Sequence, residues 1–227
     1  MIEAVVFDLD DTLYRERDFV ASGYRAVARH VADILGLPSR DIFRAMMQVF
    51  STSGRRAVFP MVIEHFLKDP IPVGELVDVY RDHTPHIRLF PGYDTLLHRL
   101  RRGHKLGIIT DGIPHVQRRK VEALGLQRAV DHIIYTGDFG PRRAKPDPLA
   151  FSLMLRRLQA EPGRTVYVGD NPLKDCIGAH RAGMRFAMVR PHGGVHSCLL
   201  PEECLAEFTV KSLLELPQIL KRAQRND

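Results

Sequence analysis

The stretch Ala4-Val5-Val6-Phe7-Asp8-Leu9-Asp10-Asp11-Thr12 decides how this chain is read. Its apolar run, rich in β-branched valine, breaks off at a carboxylate. A buried strand of a parallel sheet does this where its carboxyl end meets polar surroundings. Later runs share the pattern: Leu106-Gly107-Ile108-Ile109-Thr110, Ile133-Ile134-Tyr135, Val166-Tyr167-Val168-Gly169-Asp170 and Phe186-Ala187-Met188-Val189. Helical periodicity separates them, for example over 116–124 and 151–158. Strands alternating with helices from about residue 90 onward predict right-handed crossovers and a Rossmann-like open parallel sheet of the α/β class.

Residues 15–88 read differently, with helical patterns and no convincing strand. Val20, Tyr24, Val27, Val31, Ile34 and Leu35 recur at steps of three and four, and Gly36 and Pro38 stop that helix. Ser39 is the expected N-cap of the next, with Ile42, Met46, Val49 and Phe50 on one face. Pro60 and Pro70-Ile71-Pro72 punctuate two shorter segments, and Pro91-Gly92 marks the return to the sheet. The expected organisation is an α/β core from 1–14 and 89–227, with an all-helical cap subdomain, a lid, inserted at 15–88.

The 227 residues are 44% hydrophobic and 26% charged, the composition of a globular protein and not of a disordered or collagenous chain. No apolar run reaches the roughly 18–20 residues that span a bilayer, and the N-terminus lacks the basic start of a signal peptide. Cys176, Cys198 and Cys204 are odd in number with no CxxC pair, so neither a disulfide framework nor a zinc site is expected, and a cytoplasmic location fits. The net charge of +6 and pI near 9.4 favour anionic ligands in general. Arginine supplies 26 of the 33 basic residues, but they are scattered in pairs such as Arg55-Arg56 and Arg118-Arg119 with no interleaved aromatics. That scatter reads as solvated surface and disfavours nucleic acid as the partner.

The chemistry collects at strand ends, the edge where open α/β sheets bind ligands. Asp8-Leu9-Asp10-Asp11-Thr12, Thr110-Asp111-Gly112, Lys145-Pro146-Asp147 and Gly169-Asp170-Asn171-Pro172-Leu173-Lys174-Asp175 all fall there or in the loops just after. Asp8, Asp10, Asp170 and Asp175 would bring several carboxylates together, and two unit charges about 4 Å apart repel by roughly 4 kcal/mol at an effective dielectric near 20. Oxygen donors without His or Cys favour a hard ion, Mg²⁺ above all. Lys145, the Thr110 hydroxyl and backbone amides complete an anion grip suited to phosphoryl transfer. Aspartates at i and i+2 fit a division of labour, one attacking phosphorus and the other protonating the leaving oxygen.

Together these segments resemble the haloacid-dehalogenase superfamily of aspartate-nucleophile phosphatases, over residues 5 to about 190. Asp8-x-Asp10-x-Thr12 matches the first motif, Thr110 the second, Lys145 the third, and Gly169-Asp170 with Asp175 the fourth. The resemblance implies Asp8 as nucleophile and Mg²⁺ ligand, and Asp10 as general acid/base that also lends its backbone carbonyl to the metal. It implies Asp170 and Asp175 as further ligands, Thr110 and the Asp111 amide on the phosphoryl group, and Lys145 as its counter-charge. The implied activity is hydrolysis of a small-molecule phosphate monoester through an aspartyl-phosphate. The alternatives are a phosphomutase of the β-phosphoglucomutase type and a non-catalytic binder of anions or nucleic acid. Dehalogenases of this superfamily lack an acid/base two residues after the nucleophile, so Asp10 argues against carbon–halogen cleavage. Phosphonate hydrolases use a lid lysine; Lys68 is the only lysine at 15–88 and reads as a surface residue.

Asp111 stands where the second motif often has Asn, and is expected to face outward or to meet Arg15, Arg142 or Arg143. Tyr14 and Arg15 follow the first motif and are candidates to line the substrate pocket at the lid hinge. His192 and His196 beside Gly193-Gly194 invite a metal reading but lack a third ligand. Cys176 is expected as a small buried apolar side chain. Oligomeric state and substrate identity are not legible in the sequence.

Overall fold

Ala4–Phe7 (β1) is paired on both edges and buried along its whole length, so both its edges and its faces are covered. A strand in that position has no solvent face, which is why its sequence does not alternate. The computed structural model describes residues 1–67, 72–190, 204 and 206–223. Lys68, His192, Gly193, Gly194, His196 and Cys198 lie outside the described residues.

After β1 come four helices, α1 (Glu16–Leu35), α2 (Ser39–Ser53), α3 (Val58–Phe66) and α4 (Val73–Asp82). Then follow α5 (Tyr93–Leu100), β2 (Lys105–Thr110), α6 (Pro114–Ala123), β3 (His132–Tyr135), α7 (Leu149–Leu158) and β4 (Thr165–Gly169). A π-helical turn, Pro172–Cys176, leads into α8 (Ile177–Arg181), and β5 (Arg185–Val189), β6 (Phe208–Val210) and α9 (Leu216–Ala223) complete the order. The chain divides into two compact units, one of residues 1–15 and 88–227 and one of 16–87.

In the first unit the strands are all parallel, in the order β3-β2-β1-β4-β5-β6. The fold class is the expected one, an open Rossmann-like sheet in an α/β unit, with a separate all-helical unit. β6 was not legible because three residues, partly exposed, are too few to show a pattern. Chain order reverses between β1 and β4, and at such a switch point crossovers leave in opposite directions and open a crevice at the carboxyl ends. Phe7 is level with Ile108 of β2 and Val168 of β4. Asp8, Thr110 and Asp170 therefore leave the sheet within one residue of a common level. One face of the sheet packs Val6, Ile109, Tyr167 and Phe186 against Phe151 and Met154 of α7.

The helical unit has its own core, in which Val20, Tyr24, Val27, Ala28 and Val31 of α1 meet Ile42 and Met46 of α2, Val58 and Val62 of α3, and Leu76 of α4. Two expectations fail here. Ile34 is 52% exposed, and the buried stripe runs instead through Ala28 and Ala32, which admit a close neighbour where a longer side chain would hold it off. Ser39 is the first helical residue of α2, not its cap; Pro38 occupies the cap position and no side chain caps the helix.

The cysteine reading is also corrected. Cys176 and Cys204 form a disulfide across 28 residues of sequence, so Cys176 is buried but not a free thiol. Parity and spacing do not report which sulfurs meet in space, and this pair removes the argument from cysteine usage for a reducing compartment. Among the described residues no helix is long and apolar enough to cross a membrane.

Packing of α8 on α7 depends on Gly178, where an added Cβ would lie 2.3 Å from the buried ring of Phe151. Gly178→Ala is expected to destabilise the protein by about 1–3 kcal/mol through overpacking. The shift of the urea unfolding midpoint measures this, and an unchanged midpoint would show that the ring can yield.

Candidate active site

The segment after β1 turns sharply, with Leu13 N–H donating to the Leu9 carbonyl at 3.0 Å and Asp11 in the left-handed region at φ 54°. Aspartate tolerates that conformation better than most residues. Asp8 is held on the sheet by its amide, which donates to the Val168 carbonyl at 2.9 Å. The turn sends Asp8 and Asp10 into different surroundings.

Asp8 meets Lys145, which is buried at 6% exposure and forms the centre of the site. Lys145 Nζ donates to Asp8 Oδ1 at 2.5 Å, to Asp175 Oδ1 at 2.7 Å and to the Tyr167 hydroxyl at 3.2 Å. Asp8, Asp170 and Asp175 each offer a carboxylate oxygen within 4.8 Å of the others. Gly169 permits this approach, since a Cβ there would lie 2.3 Å from Asp175 Oδ2.

One ammonium cannot balance these carboxylates. Burial, offset by Lys145 and reinforced by Asp175 and Asp10, pushes the Asp8 carboxyl up to about 7. Burial and the charges of Asp8, Asp175 and Asp11 push Asp170 up to about 9. Lys145, although buried, is held well above its ordinary value by Asp175 and Asp8 and stays cationic. Asp170 Oδ2 is buried with no hydrogen-bond partner among the described residues. An oxygen-only donor set with a surplus of negative charge and an orphaned carboxylate oxygen fits a hard divalent cation.

Asp10 belongs to a second cluster. The Tyr14 hydroxyl donates to its Oδ1, as does Lys120 Nζ at 2.7 Å, while Gln117 Nε2 donates to Oδ2 at 2.9 Å. Burial raises the Asp10 carboxyl, but the charge of Lys120 and the hydrogen bonds from Lys120, Tyr14 and Gln117 outweigh it, and its pKa is lowered. Gln117 Nε2 also donates to Thr110 Oγ1 at 2.5 Å. Thr110 thus accepts from glutamine and keeps its own proton to donate.

Asp111 meets none of the arginines expected for it. Its Oδ1 accepts from the Thr136 hydroxyl at 2.8 Å and from the Lys145 amide at 3.0 Å, and its Oδ2 from Lys174 Nζ at 3.2 Å. It ties the Lys145 loop to the end of β2, and its ion-pair partner, Lys174, is on the turn after β4. Tyr14 is fully buried against Asp10, whereas Arg15 is exposed.

Sequence reading missed Gln117, Lys120, Tyr167 and Lys174. For the first two a signal existed, since both lie in the buried stripe of α6 with Val116 and Val121. A lysine and a glutamine in an apolar stripe just after a strand end need partners. Tyr167 was hidden in the apolar run of β4.

These environments set a pH dependence of stability. In the metal-free protein Asp8 and Asp170 keep their protons to about 7 and about 9, whereas the unfolded chain releases them near 3.8. The folded state then binds more protons, so stability falls as pH rises from about 4 to about 9. Asp10, lowered below 3.8, and Lys145, raised above 10.5, lie outside that window. The melting temperature in EDTA is expected to drop between about pH 5 and 8.5, and Mg²⁺ to restore more of it at the higher pH. A melting temperature that rises with pH in EDTA would contradict this charge balance.

The chain matches the family model of haloacid dehalogenase-like hydrolases over residues 5–189. It is 29% identical to the glyceraldehyde 3-phosphate phosphatase of Methanopyrus kandleri across 100% of both chains. It is 30% identical to the N-acetylmuramic acid 6-phosphate phosphatase of Pseudomonas putida, covering 98% of this chain and 97% of the relative. Among solved structures, a 2-haloacid dehalogenase from Pseudomonas syringae matches with a TM-score of 0.67 and 27% identity, covering 98% of this chain and 99% of that one. The chain belongs to the haloacid dehalogenase-like hydrolases, as a phosphatase.

Proposed function

We propose that the protein hydrolyses small primary alkyl phosphates with Mg²⁺, through an aspartyl-phosphate on Asp8. The observation that carries this reading is the opposite treatment of two carboxylates two residues apart. Asp8 shares a buried lysine with Asp175, while Asp10 is gripped separately by Lys120, Gln117 and Tyr14. Carboxyl groups held in surroundings this different suit distinct roles in one reaction, and a bound cation would favour the ionised, attacking form of Asp8.

Asp8, Asp170 and Asp175, with the Asp10 carbonyl, would hold the cation, which supplies positive charge where the phosphoryl group and the carboxylates crowd together. Lys145 adds a fixed counter-charge, and the Thr110 hydroxyl and the Asp111 amide bind phosphoryl oxygens. Asp8 attacks phosphorus as Asp10 gives a proton to the departing alkoxide. Asp10 then takes a proton from the water that cleaves the aspartyl-phosphate. The substrate-free site favours ionised Asp10, and a dianionic phosphoryl group beside it raises its proton affinity as any like charge does. The helical unit takes the part of the lid in this reading, and a phosphorylated metabolite as substrate argues for a cytoplasmic location.

The relatives named for glyceraldehyde 3-phosphate and N-acetylmuramic acid 6-phosphate point to the substrate class, since both compounds carry phosphate on a primary carbinol. The alkoxide such esters release is a poor leaving group, and Asp10 answers that need. The same residue, held by three donors, speaks against carbon–halogen cleavage despite the dehalogenase likeness.

Asp8→Asn is expected to lower Mg²⁺-dependent turnover of p-nitrophenyl phosphate by at least about a thousandfold. Residual turnover near the parent's would remove Asp8 from the nucleophilic role. Lys120→Met and Asp10→Asn are each expected to slow glycerol 3-phosphate about tenfold or more beyond their effect on p-nitrophenyl phosphate, which needs little protonation. Equal losses on both esters would argue that Asp10 and its lysine only shape the site.

A further inference from the structure

The helical unit carries a cationic cavity whose residues have no role in the reaction proposed above. Ser22, Arg25 and Arg29 lie on one face of α1 at steps of three and four residues, and the first turn of α2 adds Ser39, Arg40 and Phe43. They enclose a volume of about 370 Å³ with Ala28 and His86, all of them within residues 16–87. That volume is in the range of small-molecule sites.

Its charge is unbalanced. Among the described residues no carboxylate is paired with Arg25, Arg29 or Arg40; the nearby Asp41 pairs with Arg44 instead. The Arg25 guanidinium lies over the Phe43 ring, 4.7 Å from its centroid, and Arg29 Nε donates to the Arg25 carbonyl at 3.3 Å. Like charges four residues apart on a helix repel, and a bound anion relieves that repulsion.

Two further observations point inward. Ser22 is 2% exposed, and its Oγ accepts the His86 amide at 2.9 Å. Its own proton has no acceptor among the described residues, which leaves a buried hydroxyl able to donate into the cavity. The first turn of α2 also opens here without a side-chain cap, adding the positive end of a 15-residue helix.

We propose that this cavity binds a small phosphorylated organic molecule, its phosphoryl group held by Arg25, Arg29, Arg40 and Ser22 and its apolar part lying against Phe43 and Ala28. Arginine forks and an uncapped helix start suit phosphate oxygens, and the aromatic wall separates an organic phosphate from the free ion. No residue of the α/β unit takes part, so the site stands apart from the Asp8 chemistry in its residues.

The test is calorimetry on the full chain with phenylphosphonate, which phosphatase chemistry cannot hydrolyse, and with inorganic phosphate and benzyl alcohol. The parent is compared with Arg25→Ser/Arg40→Ser and with Phe43→Ala; binding near Asp8 is common to all and cancels. The parent is expected to bind one equivalent of phenylphosphonate that the arginine variant loses or binds at least about tenfold more weakly, with kcat/KM for p-nitrophenyl phosphate kept within about twofold. Phe43→Ala should weaken phenylphosphonate but not inorganic phosphate, and benzyl alcohol should not bind. Identical isotherms for parent and arginine variant would overturn the proposal. Inorganic phosphate binding there as tightly as phenylphosphonate would overturn its organic part and leave a site for the free ion.

Discussion

The buried ammonium of Lys145 stands among more carboxylates than it can neutralise, and the rest of the α/β unit is organised to keep it there. Its Nζ reaches both Asp8 and Asp175, and Asp170 lies within the same cluster. Unpaired charge in a low dielectric is costly, so such an arrangement persists only where the surrounding fold leaves the groups no retreat. Parallel pairing of β1 with β2 and β4 supplies that constraint, because their register delivers Asp8, Thr110 and Asp170 to one edge. Gly169 lets Asp175 close against the strand end, and Asp111 pins the Lys145 amide from the other side. The surplus of negative charge that remains is what a divalent cation would complete.

The second cluster solves a different problem. Asp10 follows Asp8 by two residues and would join the same crowd if the chain ran straight. The turn through Asp11 diverts it toward α6, where Lys120 and Gln117 accept it. Gln117 then couples Asp10 to Thr110 through the two protons of one amide nitrogen. In the proposed reaction, the group that would handle protons and the group that would grip phosphoryl oxygens are thereby fixed relative to each other without sharing the cluster around Lys145. Positioning of this kind is worth as much to a reaction as the reacting groups themselves.

The parallel sheet was legible because buried strands leave uninterrupted apolar runs, and Asp8, Thr110 and Asp170 were legible because each ends such a run. Lys145 and Asp175 stood out through their place in a family pattern, not through any local signal. The interior of α1 was partly misread, since periodicity ranks Ile34 with the core while packing chose Ala32. Lys120 sat in plain view on a buried stripe, yet only a neighbouring carboxylate explains why a lysine is there. Asp111 defeated the sequence reading because its partners, Thr136, Lys145 and Lys174, lie on separate loops.

Sequence alone determined the alternation of strands and helices, the inserted helical segment, and the residue types that gather where strands end. Those follow from local period and from the rule that apolar runs must be buried. The tertiary structure decided which charges meet: Lys145 with two carboxylates, Asp10 with Lys120, Asp111 with Lys174, and Cys176 with Cys204. Pairing depends on distances of a few ångströms between segments far apart in the chain, and no local pattern encodes such distances.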